Sequence, residues 1–311
     1  MTPAPDASID PNLATAAAVA PSGRRRALLV VNRDSRCGRD GVQAATDALV
    51  EAGIELVEPD CADTAQLDGL IRGHAATVDC VIVGGGDGTI NAAAPALVET
   101  GLPLGILPLG TANDLARTLE LPVDLAGAAK VIATGKMRRI DVGRVNDRFF
   151  FNVASVGLSV ALTSELTPER KRRWGRFGYA LATIGVLSRA RPFSAWITAN
   201  GETHAVKTVQ IAVGNGRYYG AGLTVEERAR IDDGKLELYS LEVSHPWKLA
   251  LIYPAFRHGR HKRWSDVRTL NSEAIEIRTR KPRRINTDGE ITTTTPARFS
   301  VLRHAVTVYA P

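Results

Sequence analysis

Residues 81–91 read Val-Ile-Val-Gly-Gly-Gly-Asp-Gly-Thr-Ile-Asn, so that an apolar run ends in glycines followed by one carboxylate and one hydroxyl. A strand that ends this way and opens a helix leaves backbone N–H groups unpaired, and the helix dipole there favours an anion. The missing Cβ atoms let phosphate oxygens approach closely. The stretch therefore predicts a phosphate site. The alternative is a tight turn in which Asp87 or Thr89 caps the helix.

The N-terminal half alternates short apolar runs with helical periods, which predicts a parallel sheet covered on both faces. The predicted strands and helices are 27–31, 40–52 (helix), 54–57, 64–75 (helix), 79–83 and 104–107. We expect a three-layer α/β/α nucleotide-binding domain over residues 25–143, after a disordered tail rich in Ala and Pro at residues 1–24. Ligands of such sheets bind beyond the carboxyl ends of the strands, where residues 84–89 lie.

The second half changes character and is rich in β-segments broken by glycine turns. The predicted strands are 149–151, 194–199, 204–212, 235–242, 274–278 and 298–302, with helical stretches near 174–188 and 246–258. This pattern predicts an antiparallel β-sandwich domain over residues 144–296, which we expect to receive the substrate. Residues 297–311 are expected to pack back onto the first domain.

Composition restricts the class of protein. The chain has 311 residues, of which 44% are hydrophobic and 23% charged, as in a globular protein of two domains. A net charge of +6 favours acidic partners such as nucleotide phosphates or an anionic membrane. Its three cysteines form no C-x-x-C pair, which argues against disulfides and zinc and favours the cytoplasm. No apolar run is long enough for a transmembrane segment.

A second strand-to-helix edge follows at residues 110–114, Gly-Thr-Ala-Asn-Asp. One interpretation is an acidic capping box, with Thr111 as the N-cap and Asp114 three residues later. Asn113 is not needed by such a cap. A second polar edge beside residues 84–89 would bring hydroxyl, amide and carboxylate groups to one crevice, as a nucleotide site requires.

These two edges, with later segments in the same order, resemble the diacylglycerol kinase catalytic domain, particularly that of the soluble bacterial lipid kinases. The later segments are Asp-Val-Gly at 141–143, Phe-Asn-Val-Ala-Ser-Val-Gly at 151–157, Asn-Gly at 215–216 with Asp-Asp-Gly at 232–234, and Asp-Gly-Glu at 288–290. The similarity spans residues 27 to about 309. It implies an N-terminal domain like those of NAD kinase and phosphofructokinase, and an ATP- and magnesium-dependent kinase.

The resemblance assigns roles to individual residues. The implied ATP-binding residues are Asn32, Arg36, Gly85, Gly86, Asp87, Gly88, Thr89, Gly110, Thr111 and Asn113. An acidic network around the catalytic magnesium would comprise Asp87, Asp114, Asp141 and Asp232, and Asp233 would contribute to a second, structural magnesium. Glu290, with Asp288 beside it, is the candidate general base, because phosphoryl transfer needs a carboxylate to take the hydroxyl proton. Ordinary turn chemistry is the alternative for 232–234 and 288–289.

The chain departs from the family pattern at three places. The turn after the first strand has Arg36 and Arg39 in place of the usual lysine, and Ala92 replaces a glutamate. Residues 227–229, Glu-Arg-Ala, replace the family's Pro-x-Ala before Asp-Asp-Gly. The last change alters the loop that would hold the structural metal, while none of the three affects Glu290.

The resemblance implies a lipid acceptor, diacylglycerol first, giving phosphatidic acid; a sphingoid base, ceramide or phosphatidylglycerol remain alternatives. Segments 171–177 and 257–264 combine cations with aromatic rings, which suits peripheral binding of an anionic membrane, or else a solvated charged face. An NAD kinase and a non-enzymatic nucleotide- or nucleic-acid-binding module are the competing functions. The 5% aromatic content argues against nucleic acid. A homodimer is left open.

Overall fold

The computed structural model describes residues 24–32, 39–61, 63–165, 191–216, 218–219, 223–224, 230–243 and 266–311. The predicted tail up to residue 23, the predicted helices at 174–188 and 246–258, and the two basic segments lie outside these residues. No helix within the described ranges is long and apolar enough to cross a bilayer.

The N-terminal part is a parallel sheet between two layers of helices. Its elements are β1 (Arg26–Val31), α1 (Arg39–Glu51), β2 (Glu55–Val57), α2 (Leu67–His74), β3 (Cys80–Gly85), α3 (Asp87–Thr100), β4 (Leu104–Pro108), α4 (Asp114–Thr118) and α5 (Leu125–Thr134). The strands pair in the order β2-β1-β3-β4. Ile71 and Leu97 bring α2 and α3 onto one face, while Leu49 and Ile132 bring α1 and α5 onto the other. The predicted α/β/α arrangement is confirmed.

The rest of the described chain is mainly antiparallel. Its elements are β5 (Met137–Val145), β6 (Arg148–Phe150), β7 (Val153–Gly157), α6 (Leu158–Glu165), β8 (Phe193–Ala199), β9 (Glu202–Thr208), β10 (Gln210–Gly214), β11 (Tyr218–Tyr219), β12 (Leu223–Thr224), β13 (Leu236–Leu241), β14 (Val267–Ser272), β15 (Ala274–Thr279), β16 (Arg284–Thr287), β17 (Glu290–Thr294) and β18 (Ala297–Tyr309). One sheet runs β14-β13-β10-β7-β16-β17. It packs against β8, β15 and β18 through a shared apolar core. The predicted antiparallel domain is thus confirmed.

The last strand joins the two parts. β18 pairs in parallel with β4 at Val308 and Leu104, and antiparallel with β5 and β15. The larger sheet is therefore continuous, in the order β2-β1-β3-β4-β18-β15-β8-β9. β5 extends past residue 143, where the first domain was expected to end, and it also pairs with β6. The two parts of the chain are consequently joined by one hydrogen-bonded sheet.

Two predicted strands differ more than the others from those observed. The strand expected at 204–212 breaks at Val209, because the Thr208 hydroxyl donates to Gln210 O (2.8 Å) and Leu241 O (2.9 Å) and turns the chain between β9 and β10. β9 and β10 consequently belong to different sheets. The strand expected at 298–302 continues to Tyr309 through an irregularity between Leu302 and Val306.

Candidate functional site

The glycine edge at the end of β3 is built for close approach. Gly86 is the N-cap of α3 with no side-chain cap hydrogen bond, so neither Asp87 nor Thr89 caps the helix as the alternative interpretation required. A Cβ atom at Gly85 would lie 2.5 Å from Thr89 Cβ, and one at Gly110 would lie 2.6 Å from Gly86 Cα. The β3 and β4 edges therefore touch through backbone, which no larger residue would permit.

The second edge does not form the capping box that was one interpretation of the sequence. Asn113, with φ +50°, is the N-cap residue of α4, and Thr111 is exposed. Asn113 Oδ1 accepts from Gly110 N at 2.9 Å, and its Nδ2 donates to Gly110 O at 3.0 Å. The Asn113 side chain thus closes its own loop, because an asparagine in the left-handed region can bond locally.

Asp87 joins the two edges to the second part of the chain. Its Oδ1 accepts from Leu115 N at 3.0 Å and from Asn152 Nδ2 at 3.4 Å. Asp114, beside Leu115, is buried. On the other side of the loop, Asn32 Nδ2 donates to Thr89 Oγ1 at 3.3 Å.

The predicted ATP-binding residues are therefore largely gathered at one place. Asn32 and Thr89 lie on one side of the glycine edge, and Gly110 and Asn113 lie on the other. Arg36, the predicted cation, lies outside the described residues.

The β16–β17 hairpin brings its acidic turn to this edge. Asp288 and Gly289 have φ of +47° and +103°, and Thr287 pairs with Glu290, which is typical of a two-residue type I′ turn. Glu290 is exposed, and its Oε1 lies 3.2 Å from the position of a Cβ atom at Gly88. The candidate base thus lies against the first turn of α3.

Asp288, predicted to be catalytic beside Glu290, is engaged with the backbone. Its carboxylate accepts from Phe151 N (2.7 Å), Asn152 N (3.0 Å) and Val153 N (2.9 Å). Burial raises the pKa of Asp288 to about 7 and the charge of Asp87 adds to the rise, whereas the backbone N–H donors act to lower it. These contacts are those of a positioning residue, because they fix the β6–β7 turn against the hairpin that carries Glu290.

The other three predicted acids cluster around the loop before β13. Buried Asp141 accepts from Gly234 N at 2.6 Å and from His304 N at 2.7 Å. Asp232 forms ion pairs with arginines, and Asp233 Oδ1 accepts from Lys235 N at 3.0 Å. In the part of the chain that the structure describes, no group of three or more His, Cys, Asp or Glu side chains could hold a metal ion.

Two asparagines to which the sequence assigned no role connect these acids. Asn152 bonds to Asp87, Asn215 N donates to Asn152 O at 2.9 Å, and Asn215 Nδ2 donates to Asp141 O at 2.9 Å. Asn152 and Asn215 are 3% and 2% exposed. In the sequence, each asparagine is a polar residue directly beside an apolar strand segment. That pattern indicates that the side chain is buried, but it does not identify the distant residue to which it bonds.

Comparison with known proteins identifies matches over nearly the whole described chain. Residues 26–145 match the family model "Diacylglycerol kinase catalytic domain", and residues 152–310 match the "YegS C-terminal NAD kinase beta sandwich-like domain". A diacylglycerol kinase of Mycobacterium tuberculosis is 31% identical over 83% of this chain and 84% of its own. One from Staphylococcus aureus is 29% identical over 75% of each chain. A crystal structure of a Bacillus anthracis diacylglycerol kinase superposes with a TM-score of 0.77 at 26% identity, over 94% of this chain and 98% of that one.

Proposed function

Because this chain belongs to the diacylglycerol kinase family of lipid kinases and is therefore a phosphotransferase, we propose that it transfers the γ-phosphate of ATP, with magnesium, to a lipid hydroxyl. Family membership confirms the resemblance seen in the sequence and decides against a non-enzymatic binding module. Diacylglycerol is the first candidate acceptor, and the product would then be phosphatidic acid.

The observation that carries the proposal is the approach of Glu290 to the glycine edge. Glu290 Oε1 is 3.2 Å from the position that a Cβ atom added to Gly88 would occupy, within the first turn of α3. A phosphate held at that helix N-terminus would lie beside a carboxylate supplied by the other sheet. An acceptor hydroxyl between them would have a base for its proton and an in-line phosphorus, which is the requirement for phosphoryl transfer.

The glycine edge also has the residue types that an ATP–magnesium complex needs. Magnesium takes oxygen ligands, keeps several waters and needs only one or two carboxylates, while it neutralises charge on the phosphates. Asp87 and Asp114 are the carboxylates of the two strand-to-helix edges, so we assign magnesium binding to them. Thr89 and the backbone N–H groups at Gly86 and Gly88 would bind phosphate oxygens.

The names of the relatives support the proposed acceptor, and the proposed location depends on that acceptor. Relatives that match over most of this chain are named diacylglycerol kinases, whereas an NAD kinase would use a soluble acceptor. We therefore place the enzyme in the cytoplasm at the membrane surface, where its lipid acceptor lies. The net charge of +6 would favour an anionic leaflet.

The test is a labelling assay with γ-labelled ATP, magnesium and mixed micelles. Separate reactions would contain diacylglycerol, ceramide, a sphingoid base, phosphatidylglycerol or NAD, and the products would be separated by thin-layer chromatography. We expect label in phosphatidic acid, and its loss when EDTA replaces magnesium. Labelled NAD without any labelled lipid would overturn the proposal in favour of an NAD kinase.

A further inference from the structure

The loop that contains Asp232, Asp233 and Gly234 is surrounded by guanidinium groups. Arg138 donates from Nε and from a terminal nitrogen to Asp232 Oδ2, at 3.2 and 2.7 Å. Arg230 donates from Nε to Oδ1 at 3.1 Å and reaches Oδ2 at 3.5 Å. Both carboxylate oxygens of Asp232 thus face arginine N–H groups from two directions.

A third arginine covers the end of the loop. Gly234 has φ +70°, and a Cβ atom there would collide with the guanidinium group of Arg303. Arg303 is in turn paired with Glu273. Arginine side chains therefore lie beside both Asp232 and Gly234, and the left-handed backbone at Gly234 favours a glycine there.

Asp233 of the loop and Asp141 of β5, which contacts the loop, already accept backbone hydrogen bonds. Asp141 accepts from Gly234 N and His304 N, and Asp233 accepts from Lys235 N. Magnesium demands several oxygen ligands in near-octahedral geometry at close range. Asp233, which the family resemblance implied for the structural magnesium, accepts from Lys235 N, and its neighbour Asp232 faces two arginines rather than a metal ion. The described residues therefore do not fit that magnesium site.

We infer that Arg138 and Arg230 hold the 230–234 loop in place of a metal ion. The ion pairs supply the positive charge that a loop of adjacent acids needs, and the loop in turn holds Asp141 through Gly234 N. Partial burial acts to raise the pKa of Asp232, but the hydrogen bonds from Arg230 and Arg138 outweigh it and lower the pKa below its usual range. Arg138 and Arg230 are positioning residues, since they act through the loop.

The experiment measures thermal unfolding of the nucleotide-free full-length protein in EDTA and in millimolar magnesium. If the loop needs no metal, Asp233→Asn should show the same magnesium-dependent change in Tm as the unaltered protein. Arg138→Met, which keeps the aliphatic stem, should lower Tm by about 2–4 °C in both buffers. The matched control is Arg278→Met, which breaks an exposed Arg–Glu pair on β15 and should leave Tm unchanged.

Two results would overturn the inference. One is a saturable rise of Tm with magnesium that Asp233→Asn abolishes, because the loop would then bind the ion. The other is an equal Tm for Arg138→Met and Arg278→Met. Should Arg138→Met fold poorly, Arg230→Gln at the more exposed end gives the same comparison. A magnesium-dependent rise that is present only in Arg138→Met would support the inference, since the ion would replace the lost cation.

Discussion

Two acidic turns of the C-terminal part, 232–234 and 288–290, have similar sequences and opposite surroundings. In the first, Asp232 faces two arginines and Gly234 lies beneath a third. In the second, Asp288 accepts from three backbone N–H groups and leaves the adjacent Glu290 exposed at the glycine edge. The sequence of an Asp-Gly turn therefore does not by itself indicate the role of the turn. The partners of its carboxylates decide whether they are bonded within the fold or left exposed.

The acidic side chains where the two parts of the chain meet are of two kinds. Asp141 and Asp288 use their oxygens for backbone N–H donors and so fix the loops that carry other residues. Glu290 is positioned by strand β17 and by the turn before it, and it is exposed. A group that exchanges a proton with substrate must be accessible, whereas a group that positions a loop must be saturated. In the proposed reaction, the hairpin would meet both needs with Asp288 and Glu290.

The largest effect is expected from Glu290→Gln, which keeps the shape of the side chain and removes its basicity. Loss of a general base lowers kcat by about 10²–10⁴-fold. Steady-state lipid phosphorylation measures kcat, and thermal unfolding should show no change in Tm. Glu202→Gln, an exposed change at the start of β9, is the matched control. Full turnover by Glu290→Gln would remove the base assignment and leave both turns structural.

Asp288→Ala should produce the next largest effect, and it should appear first in stability. The substitution leaves three backbone N–H groups without their acceptor. We expect the free energy of unfolding to fall by about 2–4 kcal/mol, because each stranded donor carries a desolvation cost. Urea unfolding measures this loss. An unchanged midpoint with a large fall in kcat would instead make Asp288 catalytic, as the sequence alone predicted.

Gly88→Ala tests the closeness of the hairpin to the helix. A Cβ atom at Gly88 meets Glu290 Oε1 at 3.2 Å, so the carboxylate must move. Displacement of a catalytic group by a fraction of an ångström is expected to lower kcat by about 10- to 100-fold. Alanine should meanwhile stabilise α3 by about 0.5–1 kcal/mol. Gly69→Ala in α2 meets nothing within 4 Å and should give the stabilisation without the kinetic loss. Equal kcat for the two variants would contradict this arrangement.

The sequence predicted the parallel sheet well because its information is local. Each of β1, β3 and β4 is a short apolar run followed by a helical period, and the glycine edge follows β3 directly. The C-terminal strands were less predictable, since Arg303 and His304 interrupt the apolar pattern of β18 and hid its length. The sequence identified the candidate acids, but it did not identify the residues that contact them in the fold. Arg138 lies 94 residues from Asp232, and Phe151 lies 137 residues from Asp288.

The smallest effect concerns the arginine-bound turn and is a pH dependence. The folded-state pKa of Asp232 is lowered, so its carboxylate stabilises the protein above the unfolded-state pKa of about 4. That stabilisation is lost as the pH falls through the folded-state pKa. Because the arginines are partly exposed and therefore screened, we expect it to amount to about 1 kcal/mol at most.

The check is urea unfolding of the unaltered protein and of Asp232→Asn between neutral and acid pH. The difference between their free energies of unfolding should be largest at neutral pH and should close as the pH falls. Asp233→Asn serves as the contrast, because burial raises the pKa of Asp233 and its stabilising contribution instead decreases as the pH rises. If the difference in free energy of unfolding between Asp232→Asn and the unaltered protein stays constant with pH, the arginines do not stabilise the ionised Asp232 carboxylate. The two acidic turns would then differ in their backbone contacts alone.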